Sequence, residues 1–311
     1  MKNIRTKNSI DLSVEIAGIK MKNPVLAASG TFGYGTEYLP LVPPGLFGAV
    51  ITKTITLLPR AGNKPPRVYE TPGGMLNSIG LANVGAEKFL AEKLPELLSR
   101  HPVVIVNIAG NTMEEYVELA GMLKGQPGIS GIELNISCPN VKQGGVAFGS
   151  DPVQAAKLTA LVKKAADKPL IVKLSPNVTD IAVIARAVEQ AGANALSLIN
   201  TLYGMAVDIE KQRPVLGNVT GGLSGPAVKP VALYNVFKAA RAVKIPVIGL
   251  GGIMSAEDAV EFMLAGATAV QIGTASFVNP NAIKEITSGL RGYCHKKGYT
   301  KVSQITGKLA V

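Results

Sequence analysis

The 311 residues carry 32 Lys and Arg against 21 Asp and Glu, a formal net charge of +11, and 47% of them are apolar. Such a length suits one large α/β domain or two small ones. No apolar run reaches the length of a membrane span, and the polar start Met1-Lys2-Asn3-Ile4-Arg5 has no hydrophobic signal core. The basic residues are scattered, aromatics amount to 5%, and no basic-aromatic motif interleaves them. Nucleic-acid binding therefore ranks last, behind a basic surface suited to anionic small ligands or an acidic partner. Two cysteines, Cys138 and Cys294, give no disulfide framework, so a cytoplasmic protein is expected.

In chain order, Leu12–Ile16 and Ile19–Met21 read as a hairpin turning at Ala17-Gly18. Eight apolar runs follow: 24–30, 48–56, 103–110, 131–138, 170–176, 195–201, 246–252 and 269–276. Each is near-continuously apolar, as for parallel strands buried on both faces. Between them lie helical patterns at 87–100, 113–124, 152–166, 178–191, 229–243 and 255–265, and a last one at 280–297. Ser255, three residues before Asp258, has the spacing of a capping box. Eight evenly spaced units with no break in composition predict a single (β/α)8 TIM barrel over 1–311, in preference to an open doubly wound sheet. Two insertions, Pro59–Ala82 after strand two and Tyr203–Gly225 after strand six, leave from the C-terminal ends of strands, the active face of such a barrel.

The run Gly131–Asn140 opens as a buried strand and stops at Cys138-Pro139, because proline has no N–H for the ladder. The glycine-rich stretch 141–149 after it reads as too irregular for a helix and as a lid over the mouth. Polar residues collect at the other strand exits too: Ser29, Lys53, Thr54, Asn107, Asn135, Lys173, Asn200 and Thr201, with Asn77 in the first insertion. Asparagine offers both donors and an acceptor, so several on one mouth suit a ligand edge that alternates N–H and C=O. Lys53 and Lys173 end apolar strands, where an ammonium needs an anionic partner or a lowered pKa. Glu133 is the only obvious strand carboxylate, so a bound anion is the sharper reading, and a lysine snorkelling at the barrel rim is the alternative. Gly249–Ser255 and Gly273–Ser276 end strands seven and eight, the usual phosphate loops of these barrels, and Ser255 opens a helix whose N-terminus favours an anion. Cys138 reads either as a small core residue or as a base or nucleophile. His101 and His295 lie away from it, so no Cys-His pair forms; no metal cluster and no dinucleotide fingerprint is evident.

Thr52-Lys53-Thr54, Asn77-Ser78-Ile79-Gly80-Leu81, Asn135-Ile136-Ser137-Cys138-Pro139-Asn140, Val172-Lys173-Leu174-Ser175-Pro176 and Gly251-Gly252-Ile253 resemble class 1 dihydroorotate dehydrogenases over essentially the whole chain. Cysteine at 138 resembles class 1 rather than the membrane-associated class 2, where serine stands. Asn218–Pro226 is similar to subclass 1B, a catalytic subunit paired with an electron-transfer subunit.

The resemblance implies FMN across the barrel mouth. Gly225, Gly251, Gly252, Gly273 and Thr274 would hold its phosphate, and Lys173 its pyrimidine end. Ser29, Lys53, Thr54, Asn107, Asn135 and Ile199 would complete the shell. Dihydroorotate would meet Lys53, Asn77, Asn135, Asn200 and Thr201, with Ser78, Ile79, Gly80 and Leu81 closing round it. Cys138 would take the C5 proton while hydride leaves C6 for the flavin. Electrons would pass through a partner carrying FAD and a 2Fe-2S cluster to NAD, in a heterotetramer of two catalytic and two electron-transfer chains. Two cysteines cannot supply the four ligands of such a cluster, so it belongs to another chain. The rivals are a subclass 1A enzyme reducing fumarate and a flavin-free barrel acting on a sugar phosphate.

Overall fold

The computed structural model of the chain describes residues 10–37, 41–43, 45–136 and 145–311. Among them, eight parallel strands close into a barrel: Val25–Ala27, Ala49–Ile51, Val104–Ile108, Ile129–Asn135, Leu170–Lys173, Ala195–Leu198, Val247–Leu250 and Ala269–Ile272. Each pairs with the next in sequence, and the eighth returns to the first through Val270 opposite Val25. Nearly every position in these strands is buried, because helices cover the outside and side chains fill the inside. This is why they read as apolar runs without alternation. The expected hairpin is Val14–Ile16 paired with Ile19–Met21, and Ile19 lies against Gly131 early in strand four.

The helices follow the sequence pattern, and their starts are chemically marked. Thr112, Asp151 and Asp180 cap Met113–Leu123, Pro152–Ala165 and Ile181–Gln190 by accepting from backbone N–H groups of the first turn. Ser255 and Asp258 form the expected capping box on Ala256–Leu264. The segment expected as a helix over 87–100 runs as Ala86–Lys88, a π-helical turn Phe89–Lys93, and Leu94–Leu98. Pro95 explains the wider turn. It has no N–H for the Ala91 carbonyl and its ring crowds that carbonyl, so Leu94 N–H reaches back to Phe89 instead. No helix among the described residues is long and apolar enough to cross a membrane.

The insertions hold regular structure that the sequence pattern does not announce. Val68–Thr71 and Gly74–Asn77 from the first, with Leu202–Gly204 and Gly221–Ser224 from the second, make one antiparallel sheet over the C-terminal face. Asn77 faces Gly222 and Tyr203 faces Gly222 from the other side. A Cβ at Gly222 would overlap Thr201, so glycine there lets the sheet lie close over the strand-six exit.

Residues 145–149 of the run expected to be irregular belong to the helix Gly145–Ser150. Its Phe148 is buried and meets the Tyr116 ring edge-on, with centroids 6.2 Å apart. Tertiary packing there overrides the poor propensity of glycine. Replacing Ser255 with Ala removes a cap side chain and is expected to lower stability by about 1 kcal/mol, read as a lower urea midpoint with an unchanged denaturant slope.

Candidate active site

At the centre of the barrel, strand four contributes Glu133, which is 0% exposed. Asn107 Nδ2 of strand three donates to it at 2.6 Å, Ser197 Oγ of strand six at 2.8 Å and Gln271 Nε2 of strand eight at 2.8 Å. Lys173 Nζ of strand five stands 4.0 Å away. A buried charge persists only when its acceptor sites are filled, and these donors fill them. Lys173 therefore has a protein carboxylate within reach, whichever anion also approaches it.

Lys53, at the exit of strand two, is in a different setting. Burial lowers its pKa from the usual lysine range; Glu37 nearby opposes the shift and Arg67 adds to it. Around the two lysines stand the asparagines. Asn200 Nδ2 donates to Asn135 Oδ1 at 3.3 Å, Thr201 N–H donates to Asn200 Oδ1 at 2.9 Å, and Asn77 Nδ2 reaches the Gly222 carbonyl at 3.4 Å. A second set holds the loops. Asn63 Nδ2 donates to Ser78 Oγ at 2.9 Å, Asn83 ties Thr56 to Leu81, and Asn177 Nδ2 donates to the Thr201 carbonyl at 3.0 Å.

The opposite corner is nearly bare of side chains. Gly251 and Gly252 have φ of +121° and +75°, and a Cβ on Gly252 would press on the Lys229 nitrogen and the Gly225 carbonyl. Beside them Thr274 Oγ1 donates to Ser224 Oγ at 2.9 Å. Exposed backbone with small hydroxyls is the chemistry of a phosphate cradle. The helix that begins after Ser255 does not join it. Asp258 accepts from the N–H groups of Met254 and Ser255 and pairs with Lys229 Nζ at 2.6 Å, so its own carboxylate occupies that helix end.

These groups line one cavity of about 560 Å³ at the barrel mouth. On its wall are Ser29, Lys53, Thr54, Asn77, Ser78, Ile79, Gly80, Leu81, Asn135, Lys173, Ile199, Asn200, Thr201, Gly225, Gly251, Gly252, Gly273 and Thr274, all singled out from the sequence. Asn107 lies behind that wall, fully buried against Glu133. Cys138 lies outside the described residues, as do residues 141–144 of the expected lid. Tyr116 touches the chain on either side of them: its hydroxyl donates to the Asn135 carbonyl at 2.8 Å and its ring packs on Phe148. His101 is buried elsewhere, its Nε2 3.0 Å from the Gly35 carbonyl.

The model of the dihydroorotate dehydrogenase family matches residues 11–293. The chain belongs to the dihydroorotate dehydrogenase family. Among relatives in that family, the dihydroorotate dehydrogenase B (NAD(+)) catalytic subunit of Geotalea daltonii is 58% identical over 301 residues, covering 97% of this chain and 99% of that protein. The subunit of the same name from Geobacter sulfurreducens is also 58% identical, with the same coverage. That of Pelobacter propionicus is 56% identical over 299 residues, 96% of this chain and 98% of its own.

Sequence reasoning missed Gln271 and Ser224 on the wall of this family member's cavity. The signal for Gln271 was present: a lone amide inside the apolar run Ala269-Val270-Gln271-Ile272. Ser224 had no such signal, since its place depends on the insertion sheet.

The depressed pKa of Lys53 makes its charge a burden on the folded chain at neutral pH. The folded state gives up that proton at a lower pH than the unfolded one, so the burden eases as pH rises through the folded pKa. Without ligand, Lys53→Met is expected to unfold at an equal or higher urea concentration than the parent at pH 7. The gap should narrow by pH 10; a gap that widens with pH contradicts the assignment.

Proposed function

We propose that this chain is the catalytic subunit of a dihydroorotate dehydrogenase, oxidising dihydroorotate to orotate in pyrimidine synthesis with FMN at the barrel mouth. The observation that carries this reading is the meeting, on one cavity wall, of Lys53 and Lys173, of Asn77, Asn135 and Asn200, and of a bare glycine corner. Pyrimidine amide edges suit the asparagines, a carboxylate suits Lys53, and a phosphate suits Gly251, Gly252, Gly225, Gly273 and Thr274.

The residues present suit FMN. The glycine corner has room where side chains would block a phosphate, and two buried amide oxygens, Asn107 Oδ1 and Gln271 Oε1, lack a partner among the described residues. A ring N–H is what such oxygens lack. Lys173 would face negative charge on the ring, with Ser29, Thr54, Asn135 and Ile199 beside it and Asn107 beneath. FMN, when bound, supplies the acceptor for a hydride from C6 of the substrate.

The chain's own residues do the rest. Lys53 binds the substrate carboxylate, and its lowered pKa reflects an ammonium short of compensation, which an anion restores. Asn77, Asn135, Asn200 and Thr201 hold the amide edges and fix the ring's orientation. Ser78, Ile79, Gly80 and Leu81 close round the ring and exclude water. Cys138 takes the C5 proton, a task within reach of a positioned thiol.

The relatives' names carry NAD(+) and the word subunit. Those words support an NAD-linked enzyme with a partner chain; from the subclass resemblance we further assign that partner FAD and a 2Fe-2S cluster that pass electrons on to NAD, within a cytoplasmic heterotetramer of two chains of each kind. The barrel, 1–311, acts as one catalytic unit.

An anaerobic visible spectrum of the purified chain tests the reading. Dihydroorotate is expected to bleach a flavin band; a band that persists in the complete complex excludes this substrate, and a protein that binds no FMN excludes the cofactor. Cys138→Ala is expected to keep its flavin and lose steady turnover, and full activity in that variant removes the base assignment.

A further inference from the structure

Glu133 arranges more than its own neutralisation. An ionised carboxylate can only accept hydrogen bonds, so both Asn107 and Gln271 must turn their amide nitrogens toward it. That fixes which way each planar amide faces. Their oxygens are thereby committed to the opposite side, and both are buried with no partner among the described residues. Gln271 is 1% exposed and stands on the cavity wall, while Asn107 is 0% exposed and sits opposite Glu133 in the register of strands three and four. An unmet buried amide oxygen is costly, and two around one carboxylate point to a donor that arrives with a ligand.

We propose that Glu133 is a positioning residue that sets the polarity of the cavity floor: it makes Gln271 on the wall and Asn107 behind it offer acceptors rather than donors away from Glu133, and one of their oxygens receives the ring N–H of the flavin. This rests on the FMN reading above, since an oxidised flavin offers a single ring N–H, between the two carbonyls of its pyrimidine edge. It also gives Gln271 a role in ring recognition.

Glu133→Gln keeps the shape and inverts the logic. The new amide offers an NH2 group, so a neighbouring amide must turn its oxygen inward and present its own NH2 to the ligand. The experiment strips the protein of flavin and titrates it, by fluorescence quenching, with FMN and with FMN methylated at the ring nitrogen that bears the N–H. The parent is expected to prefer FMN by about tenfold or more, and Glu133→Gln to lose most of that preference. A purely structural role would weaken both flavins alike and leave their ratio unchanged, which overturns the proposal. Asn107→Leu and Gln271→Leu carry the same test if Glu133→Gln does not fold: one of them must lose the preference, and retention by both overturns the proposal. Equal binding of the two flavins by the parent also overturns it while leaving the FMN reading intact. Binding of neither removes the FMN reading and this proposal together.

Discussion

Everything at the mouth of this barrel depends on one carboxylate beneath it. Glu133 collects Asn107, Lys173, Ser197 and Gln271, so a single side chain ties together five of the eight strands. The interior would tolerate an unpaired carboxylate badly: removing a neutral donor leaves an acceptor site unfilled, and removing Lys173 leaves charge uncompensated. The five strands must therefore keep their register for the network to close. Asn107 opposite Glu133 and Asn135 opposite Lys173 are the pairs in which that register is visible. The floor is polar because the barrel must hold a charge still, not because its core is short of apolar material.

The two lysines above this floor show how neighbours divide labour between identical side chains. Lys173 rests against a carboxylate fixed from several directions. Lys53 is part-buried, and burial and Arg67 both disfavour its charge while Glu37 favours it. The first is a cation held in place; the second is one whose environment improves when an anion arrives. The asparagines divide in the same way. Asn77, Asn135 and Asn200 stand on the cavity wall, whereas Asn63, Asn83 and Asn177 hold the loops that shape it.

The barrel was legible because strands buried on both faces leave long apolar runs, and helices leave caps and a 3.6-residue pattern. The site was legible because polar residues at the ends of such runs have nowhere to go but the mouth. What escaped depends on distant partners. The π-helical turn follows from where one proline falls in its helix, which periodicity alone does not mark. The role of Glu133 needs four other strands before it exists. The helix Gly145–Ser150 hides behind three glycines and serines and is held by Phe148 on Tyr116. The insertion sheet was least legible of all, since such short strands carry almost no local signal and the two insertions meet through Gly74–Asn77 against Gly221–Ser224, far apart in sequence.

That sheet has a consequence for what holds the site together. Asn77 and Gly222 are 145 residues apart, and an unfolded chain would lose considerable loop entropy in bringing them together. The closed barrel sets the exits of strands two and six over the same opening, so most of that loss is already met by the strands beneath. The wall that would grip a substrate thus borrows its stability from the scaffold on which it rests.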